Sequence, residues 1–93
     1  MKSYLRPGTF VLVEWLDAFG AGGWNSAVDI RANPVEAVIR TVGWVVSDDP
    51  IYLTLTMQHH LGTDGVGAVA SVPQATIRKV TRLGAKYRAK DLE

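Results

Sequence analysis

The sequence predicts a small all-β domain in which five short strands close into a barrel with one long loop. Residues 51–58 alternate between apolar and polar side chains, as a strand with one buried face does. Clusters of Pro, Gly, Asn and Asp interrupt the apolar segments, and no segment carries apolar residues at helical spacing. The length of 93 residues and the hydrophobic fraction of 47% fit one globular domain.

The first strand is predicted over residues 9–16, after the turn signal Pro7-Gly8. Its alternation divides the strand into an expected core face of Val11, Val13 and Trp15 and an outer face of Phe10, Leu12 and Glu14. Apolar side chains on the outer face suit a dimer interface or a covering loop. Residues 17–35 then form a long, glycine-rich connection, and such loops are usually functional or mobile.

The second strand is predicted over residues 36–47, with a bulge or bend at Gly43. Asp48-Asp49-Pro50 is read as a turn. In the third strand, the alternation predicts inward-facing Ile51, Leu53, Leu55 and Met57 and outward-facing Tyr52, Thr54, Thr56 and Gln58.

The last two strands are predicted over residues 67–72 and 77–83, with one helical turn at residues 74–76 between them. Residues 1–83 therefore form the expected barrel domain. Residues 84–93 are expected to be a basic polar tail, either a short helix or disordered.

Three motifs between Gly43 and Leu83 carry a resemblance to known barrels: GWVVSDD, PIYLTLTM and SVPQATIRKVTRL. Together they resemble the second half of an SH3-like or Sm-like barrel. The whole chain, through PGTFVLVEWLDA, Gly-Gly-Trp at 22–24 and the same ending, resembles small uncharacterised proteins of bacteriophages and prophages. The resemblance implies an accessory protein acting inside a bacterium, and it implies no catalytic residues. Sm-like proteins bind RNA, but His59-His60 stand here where those proteins often place Asn.

Cysteine is absent, which excludes disulfides and thiolate metal sites. No apolar run reaches the roughly 20 residues that a membrane-spanning helix needs. The N-terminal MKSYLRPGTF also lacks the apolar segment of a signal peptide. A cytoplasmic protein without membrane contact is therefore expected.

Aromatic side chains are the predicted partner-binding residues: Phe19, Trp24, Trp44 and Tyr52. Trp24 follows two glycines in the long loop, where it is either an anchor for a partner or a plug over an open end of the barrel. Trp44 and Tyr52 flank the second turn, where they either form a stacking platform or pack across strands.

A basic strip follows residue 77. Residues 78–90 hold six basic residues and no acid, whereas residues 1–77 hold four basic and seven acidic ones. The strip predicts an alternative function, RNA or single-stranded DNA binding, through Arg78, Lys79, Arg82, Lys86 and Arg88. It could equally be solvated or meet an acidic face of a second subunit, and the acidic remainder would repel nucleic acid.

No constellation of catalytic or cofactor-binding residues is found. A metal site needs three or four ligands that converge on one ion. Adjacent residues of an extended chain point to opposite sides, so His59 and His60 would rarely bind the same ion, and Asp64 is the only nearby candidate for a third ligand. Asp48-Asp49 are better explained as turn formers than as an acid–base pair. The sequence therefore predicts a non-enzymatic interaction module without cofactor or metal. Its expected partner is a host or phage protein, and it is expected to self-associate through Phe10, Leu12 and Tyr52.

Overall fold

The structure is a computed structural model that describes residues 4–18, 24–32 and 36–93. Within these residues the chain is mostly β, and five antiparallel strands form one sheet. The strands are β1 Phe10–Ala18, β2 Glu36–Asp48, β3 Tyr52–His59, β4 Val66–Pro73 and β5 Ile77–Arg82. The helical elements are α1 Ala27–Ala32 and three 3₁₀ turns, Gln74–Thr76, Ala85–Tyr87 and Lys90–Leu92.

The strand order is β4-β3-β2-β1-β5. Each of the first three strands pairs with the next, and β5 returns to pair with β1. The β1–β2 hairpin is long, with its register running from Phe10 opposite Trp44 to Ala18 opposite Glu36. The five predicted strands are thus confirmed as one antiparallel sheet, and their closure into a barrel stays a prediction.

The bulge in β2 does not lie at the glycine where the sequence predicts it. In the β2–β3 ladder the register shifts between Val45 and Ser47, so the extra residue is Val46. Gly43 has a different role: a Cβ at this position would lie 2.6 Å from the carbonyl oxygen of Thr56. The glycine therefore allows close approach of two backbones. Of the bulge or bend predicted at Gly43, the bulge lies three residues further on, at Val46.

The core lies on one face of the sheet and consists of aliphatic side chains from three strands. Its members are Val11 and Val13 of β1, Val45 of β2 and Leu53 and Leu55 of β3. Each is fully buried or nearly so, which stabilises the fold by about 1.5–3 kcal/mol per side chain. Trp15 packs against this cluster, so the predicted core face of β1 is confirmed.

The predicted faces of β3 are confirmed at its centre and wrong at its ends. Leu53 and Leu55 are buried, but Ile51 and Met57 are more than half exposed. Thr56, predicted to face outward, is completely buried, and its hydroxyl can donate to the carbonyls of Gly67 and Gln58. These backbone acceptors compensate the cost of burying a hydroxyl, which a hydropathy pattern does not register.

The two aspartates at the end of β2 form the predicted turn. Oδ1 of Asp49 accepts hydrogen bonds from the backbone N–H groups of Ile51 and Tyr52, at 2.8 and 2.7 Å. These two bonds hold the pKa of the Asp49 carboxyl below its ordinary value. Asp48 accepts from the backbone N–H of Leu5 at 2.8 Å and from the side-chain amide of Gln74, so it joins the chain start to the turn before β5.

The predicted loop at residues 17–35 is partly regular, because β1 continues to Ala18 and α1 occupies Ala27–Ala32. Every residue of this helix is exposed. Among the described residues, no helix is long and apolar enough to cross a membrane.

The segment after β5 is anchored along its length. The backbone N–H of Leu83 donates to the carbonyl of Phe10, and that of Ala89 donates to the carbonyl of Gly8, both at 2.8 Å. Further on, Asp91 accepts a hydrogen bond from the backbone N–H of Gly62 at 2.9 Å. We call residues 83–93 the C-terminal segment.

Candidate functional site

The far end of the β1–β2 hairpin carries an exposed aromatic residue. Trp24 precedes α1 and its side chain is fully exposed, at 104% of its reference area. Val28 and Ile30 of the helix are exposed beside it. Trp24 therefore does not fold back as a plug, and its surroundings fit the alternative role of a partner anchor. Phe19, its predicted companion, lies outside the described residues.

The near end of the same hairpin carries an aromatic cluster. Phe10 and Trp44 are opposite each other in the β1–β2 ladder, with ring centroids 5.2 Å apart. Tyr87 of the C-terminal segment lies over Phe10 at 5.6 Å, and Trp44 Nε1 donates to the Tyr87 carbonyl. The covering segment anticipated for Phe10 is thus the C-terminal segment of the same chain.

Tyr52 lies well away from this cluster. Trp44 is opposite Thr56 of β3, and Tyr52 is four positions further along that strand. At about 3.3 Å per residue, the separation along the strand is roughly 13 Å. The structure therefore does not bring Trp44 and Tyr52 together as one stacking platform, although Tyr52 remains 45% exposed.

Between the two ends, the outer surface of the hairpin has a symmetric pattern. Three cross-strand pairs follow one another: Leu12 opposite Val42, Glu14 opposite Arg40 and Leu16 opposite Val38. We call these six residues the hairpin face. The central pair is joined by an ion pair, with Arg40 Nε 3.2 Å from Glu14 Oε1, and Val38 and Val42 are about half exposed.

Sequence reasoning identified only part of this hairpin face. The alternation of β1 marked Leu12 and Glu14 as outward-facing, but Val38 and Val42 were not singled out. Residues 36–47 contain valine or isoleucine at both odd and even positions, so the pattern alone does not show which of them face solvent. The register of β2 against β1 decides this.

The predicted basic strip divides into two groups. Arg78 falls at the irregularity between β1 and β5, and Lys79 is opposite Glu14. The second group lies at the other end of β5, where Lys86 Nζ is 5.0 Å from the ring centre of Tyr87 and Arg82 and Arg88 line one cavity. A further arginine that sequence reasoning missed, Arg6, lines the same cavity.

The histidine pair is divided between two environments. The side chain of His59 is only 7% exposed, and its Nε2 lies 2.7 Å from the carbonyl oxygen of Thr63, to which it donates. His60 is exposed, and its backbone groups close the loop between β3 and β4. Within residues 4–18, 24–32 and 36–93, no three His, Cys, Asp or Glu side chains are grouped closely enough to hold a metal ion.

Comparisons with protein-family models, with curated proteins and with solved structures give no match for this chain.

Proposed function

We propose that this chain is a non-enzymatic interaction module, built on an SH3-like barrel, that self-associates through the hairpin face. The observation that carries the proposal is the self-complementary pattern of that face: an ion pair between two leucine–valine pairs whose valines are about half exposed. Trp24 offers a separate contact for a protein partner at the hairpin tip. The resemblance to phage proteins supports a role as an accessory protein inside a bacterial cell.

The connection between β4 and β5 supports the barrel. These are the outermost strands of the order, and in a flat sheet they would lie about 19 Å apart at 4.8 Å per strand. The chain joins Pro73, at the end of β4, to Ile77, at the start of β5, through the three residues of one 3₁₀ turn. Even fully extended, that connection spans only about 14 Å. The sheet must therefore curl, as in a barrel.

Two copies of the hairpin face are complementary under one particular two-fold axis. A closed dimer uses the same patch on both copies, so each residue must face a suitable partner across the axis. An axis running parallel to the strands, between β1 and β2, brings β1 of one copy over β2 of the other. Glu14 of each copy then meets Arg40 of the other, and leucine meets valine on both sides. The perpendicular axis in the same plane stacks Glu14 on Glu14, which is unfavourable.

Analytical ultracentrifugation and light scattering test the proposal. The unmodified chain is expected to dimerise as its concentration rises to about 1 mM, which detects even a weak association. Val42→Lys places a charge in the apolar part of the interface and should give a monomer. Val69→Lys is the matched control, because Val69 is also a half-exposed strand valine, on β4 and outside the hairpin face. This variant should dimerise like the unmodified chain.

A charge exchange tests the arrangement of the two copies. Glu14→Arg and Arg40→Glu should each weaken the dimer, because like charges then meet across the axis. The double variant Glu14→Arg/Arg40→Glu should restore it. A strict monomer at every concentration, or a dimer that Val42→Lys and Val69→Lys weaken equally, would exclude self-association through this face.

A second candidate function is RNA or single-stranded DNA binding. The observation that favours it is the clustering of Arg82, Lys86 and Arg88 at one end of the molecule, with Tyr87 among them. Cations beside an exposed aromatic ring are the combination that single-strand binding uses. Arg78 and Lys79, at the other end of β5, are separated from this group.

A further inference from the structure

A cavity of about 220 Å³ lies where the first turn of the chain meets the C-terminal segment. Three arginines line it, Arg6, Arg82 and Arg88, and the described lining residues include no acid. The remaining lining residues are Thr9, Phe10, Leu83, Gly84 and Ala85, so most of the rest of the wall is apolar. An anion in such a cavity would meet guanidinium groups in surroundings less polar than water, where charge–charge attraction is stronger.

Backbone hydrogen bonds hold the three arginines in place. Arg6 begins a tight turn in which Thr9 donates to its carbonyl and Gly8 has a φ of +86°, the conformation of a type II turn with proline in second position. Arg82 precedes Leu83, whose N–H donates to Phe10, and Arg88 precedes Ala89, whose N–H donates to Gly8. The backbone that carries the three arginines is therefore anchored at or next to each of them.

Two of the guanidinium groups come within reach of one oxyanion. The carboxylate of Glu93 contacts both of them, with Oε2 3.3 Å from Arg6 Nη2 and Oε1 in an ion pair with Arg88 Nε. Glu93 itself is not among the residues that line the cavity. A single carboxylate against three guanidinium groups leaves a net charge of +2.

Arg88 retains unused donor capacity. Its Nε is in the ion pair with Glu93, whereas its buried Nη2 has no hydrogen-bond acceptor among the described residues. A buried donor without an acceptor is destabilising, so a bound oxyanion would gain the full benefit of the Nη2 N–H groups.

We propose that this cavity binds a phosphate monoester, with Arg6, Arg82 and Arg88 contacting its oxygens. A monoester carries close to two negative charges at neutral pH, which matches the net charge of the arginine group, whereas a diester carries one. Planar guanidinium groups also match phosphate oxygens in pairs. The inference is independent of the self-association proposed for the hairpin face.

Nuclear magnetic resonance titration at constant ionic strength tests the site, with methyl phosphate as the probe and dimethyl phosphate as its singly charged counterpart. Methyl phosphate is expected to shift the Arg88 Nε–Hε signal and the backbone amides of Gly84 and Ala85 saturably. Dimethyl phosphate should bind at least fivefold more weakly. Equal affinity for the two esters, or shifts spread over all basic residues and unsaturated, would overturn the proposal.

Variants locate the site. Arg6→Ala and Arg82→Ala remove exposed side chains and should leave the fold intact while weakening methyl phosphate binding about tenfold each, as loss of a charged hydrogen bond does. Lys79→Ala removes the same charge outside the cavity and should change the affinity less than twofold. An equal loss in Lys79→Ala and Arg82→Ala would refute the assignment to this cavity.

A dinucleotide with a 5′-phosphate separates two sources of the same chemical group. Binding at least as tight as that of methyl phosphate would support the proposal with a nucleic-acid chain end as ligand. Weaker binding, with methyl phosphate still selected over dimethyl phosphate, would support it with a small phosphorylated molecule.

Discussion

Asp49 shows how one carboxylate can organise a turn. Its Oδ1 accepts two backbone hydrogen bonds, which favour the ionised form and lower the pKa of the group below its ordinary value near 3.8. A carboxyl whose pKa is lower in the folded state contributes stability above its unfolded pKa. That contribution is lost as the pH falls through the lowered folded value.

Asp49→Asn should therefore destabilise the protein at pH 7 and by a smaller amount at pH 2.5, because the contribution of the natural carboxylate is lost as the pH falls toward the lowered folded-state pKa. Urea unfolding at both values measures the difference in free energy. Asp64→Asn, in the exposed loop after β3, controls for the change in net charge. The same free-energy loss at both pH values for Asp49→Asn would contradict the role assigned to its charge.

Thr56 marks the limit of sequence reasoning about single residues. Alternation predicts correctly that Leu53 and Leu55 are buried, because aliphatic side chains dominate the free energy of burial. Thr56, next to Leu55 in the strand, is buried for a reason that lies elsewhere in the chain. Its hydroxyl can donate to Gly67, and its backbone carbonyl lies where Gly43 leaves space. Neither neighbour is apparent from the pattern of β3.

Among the elements, the C-terminal segment is the one for which the sequence predicts either a short helix or a disordered tail. It forms two 3₁₀ turns and is anchored by backbone groups of Gly8 and Gly62. Such anchors are distant in sequence and are carbonyl or amide groups that every residue has. Local composition therefore cannot reveal them, whereas the turn signals around Asp48 and Pro73 are local and were correctly interpreted.

Gly8 is the closest point of contact between the first turn and this segment. A Cβ at Gly8 would lie 2.2 Å from the carbonyl oxygen of Ala89, and the φ of +86° is itself unfavourable for alanine. Gly8→Ala should therefore lower the free energy of unfolding and increase the hydrogen exchange of the Ala89 amide. Gly62→Ala is the matched control, because its φ of +80° gives the same backbone strain with no atom within 4 Å of the new Cβ.

Backbone strain alone should cost Gly62→Ala about 1–2 kcal/mol. The loss in Gly8→Ala should exceed this, because relieving the clash requires the C-terminal segment to move. Equal losses in the two variants, with unchanged exchange at Ala89, would show that the segment does not depend on close contact with Gly8.

For the whole molecule, the sequence was sufficient for the number and approximate positions of the strands but not for the surfaces. Turn residues and strand periodicity are local signals, so they define the elements. The hairpin face needs the register of β1 against β2, and the arginine cavity needs Arg6 and Arg88 brought together from opposite ends of the chain. Long-range geometry decides both.

The distribution of charge over the whole molecule leads to the last prediction. If the chain binds nucleic acid, attraction must come from the group at Arg82 and Lys86, because residues 1–77 carry more acidic than basic side chains.

Fluorescence polarisation with single-stranded RNA and DNA lacking terminal phosphates should show binding at low salt that weakens as salt rises. Arg82→Ala/Lys86→Ala should weaken it and reduce the slope of log K against log salt by about 0.7 per lost phosphate contact. Arg31→Ala, on α1 at the tip of the hairpin, should leave affinity and slope unchanged. Absence of binding at low salt, or equal slopes in all three proteins, would exclude this function and leave the hairpin face and the cavity as the candidate binding surfaces.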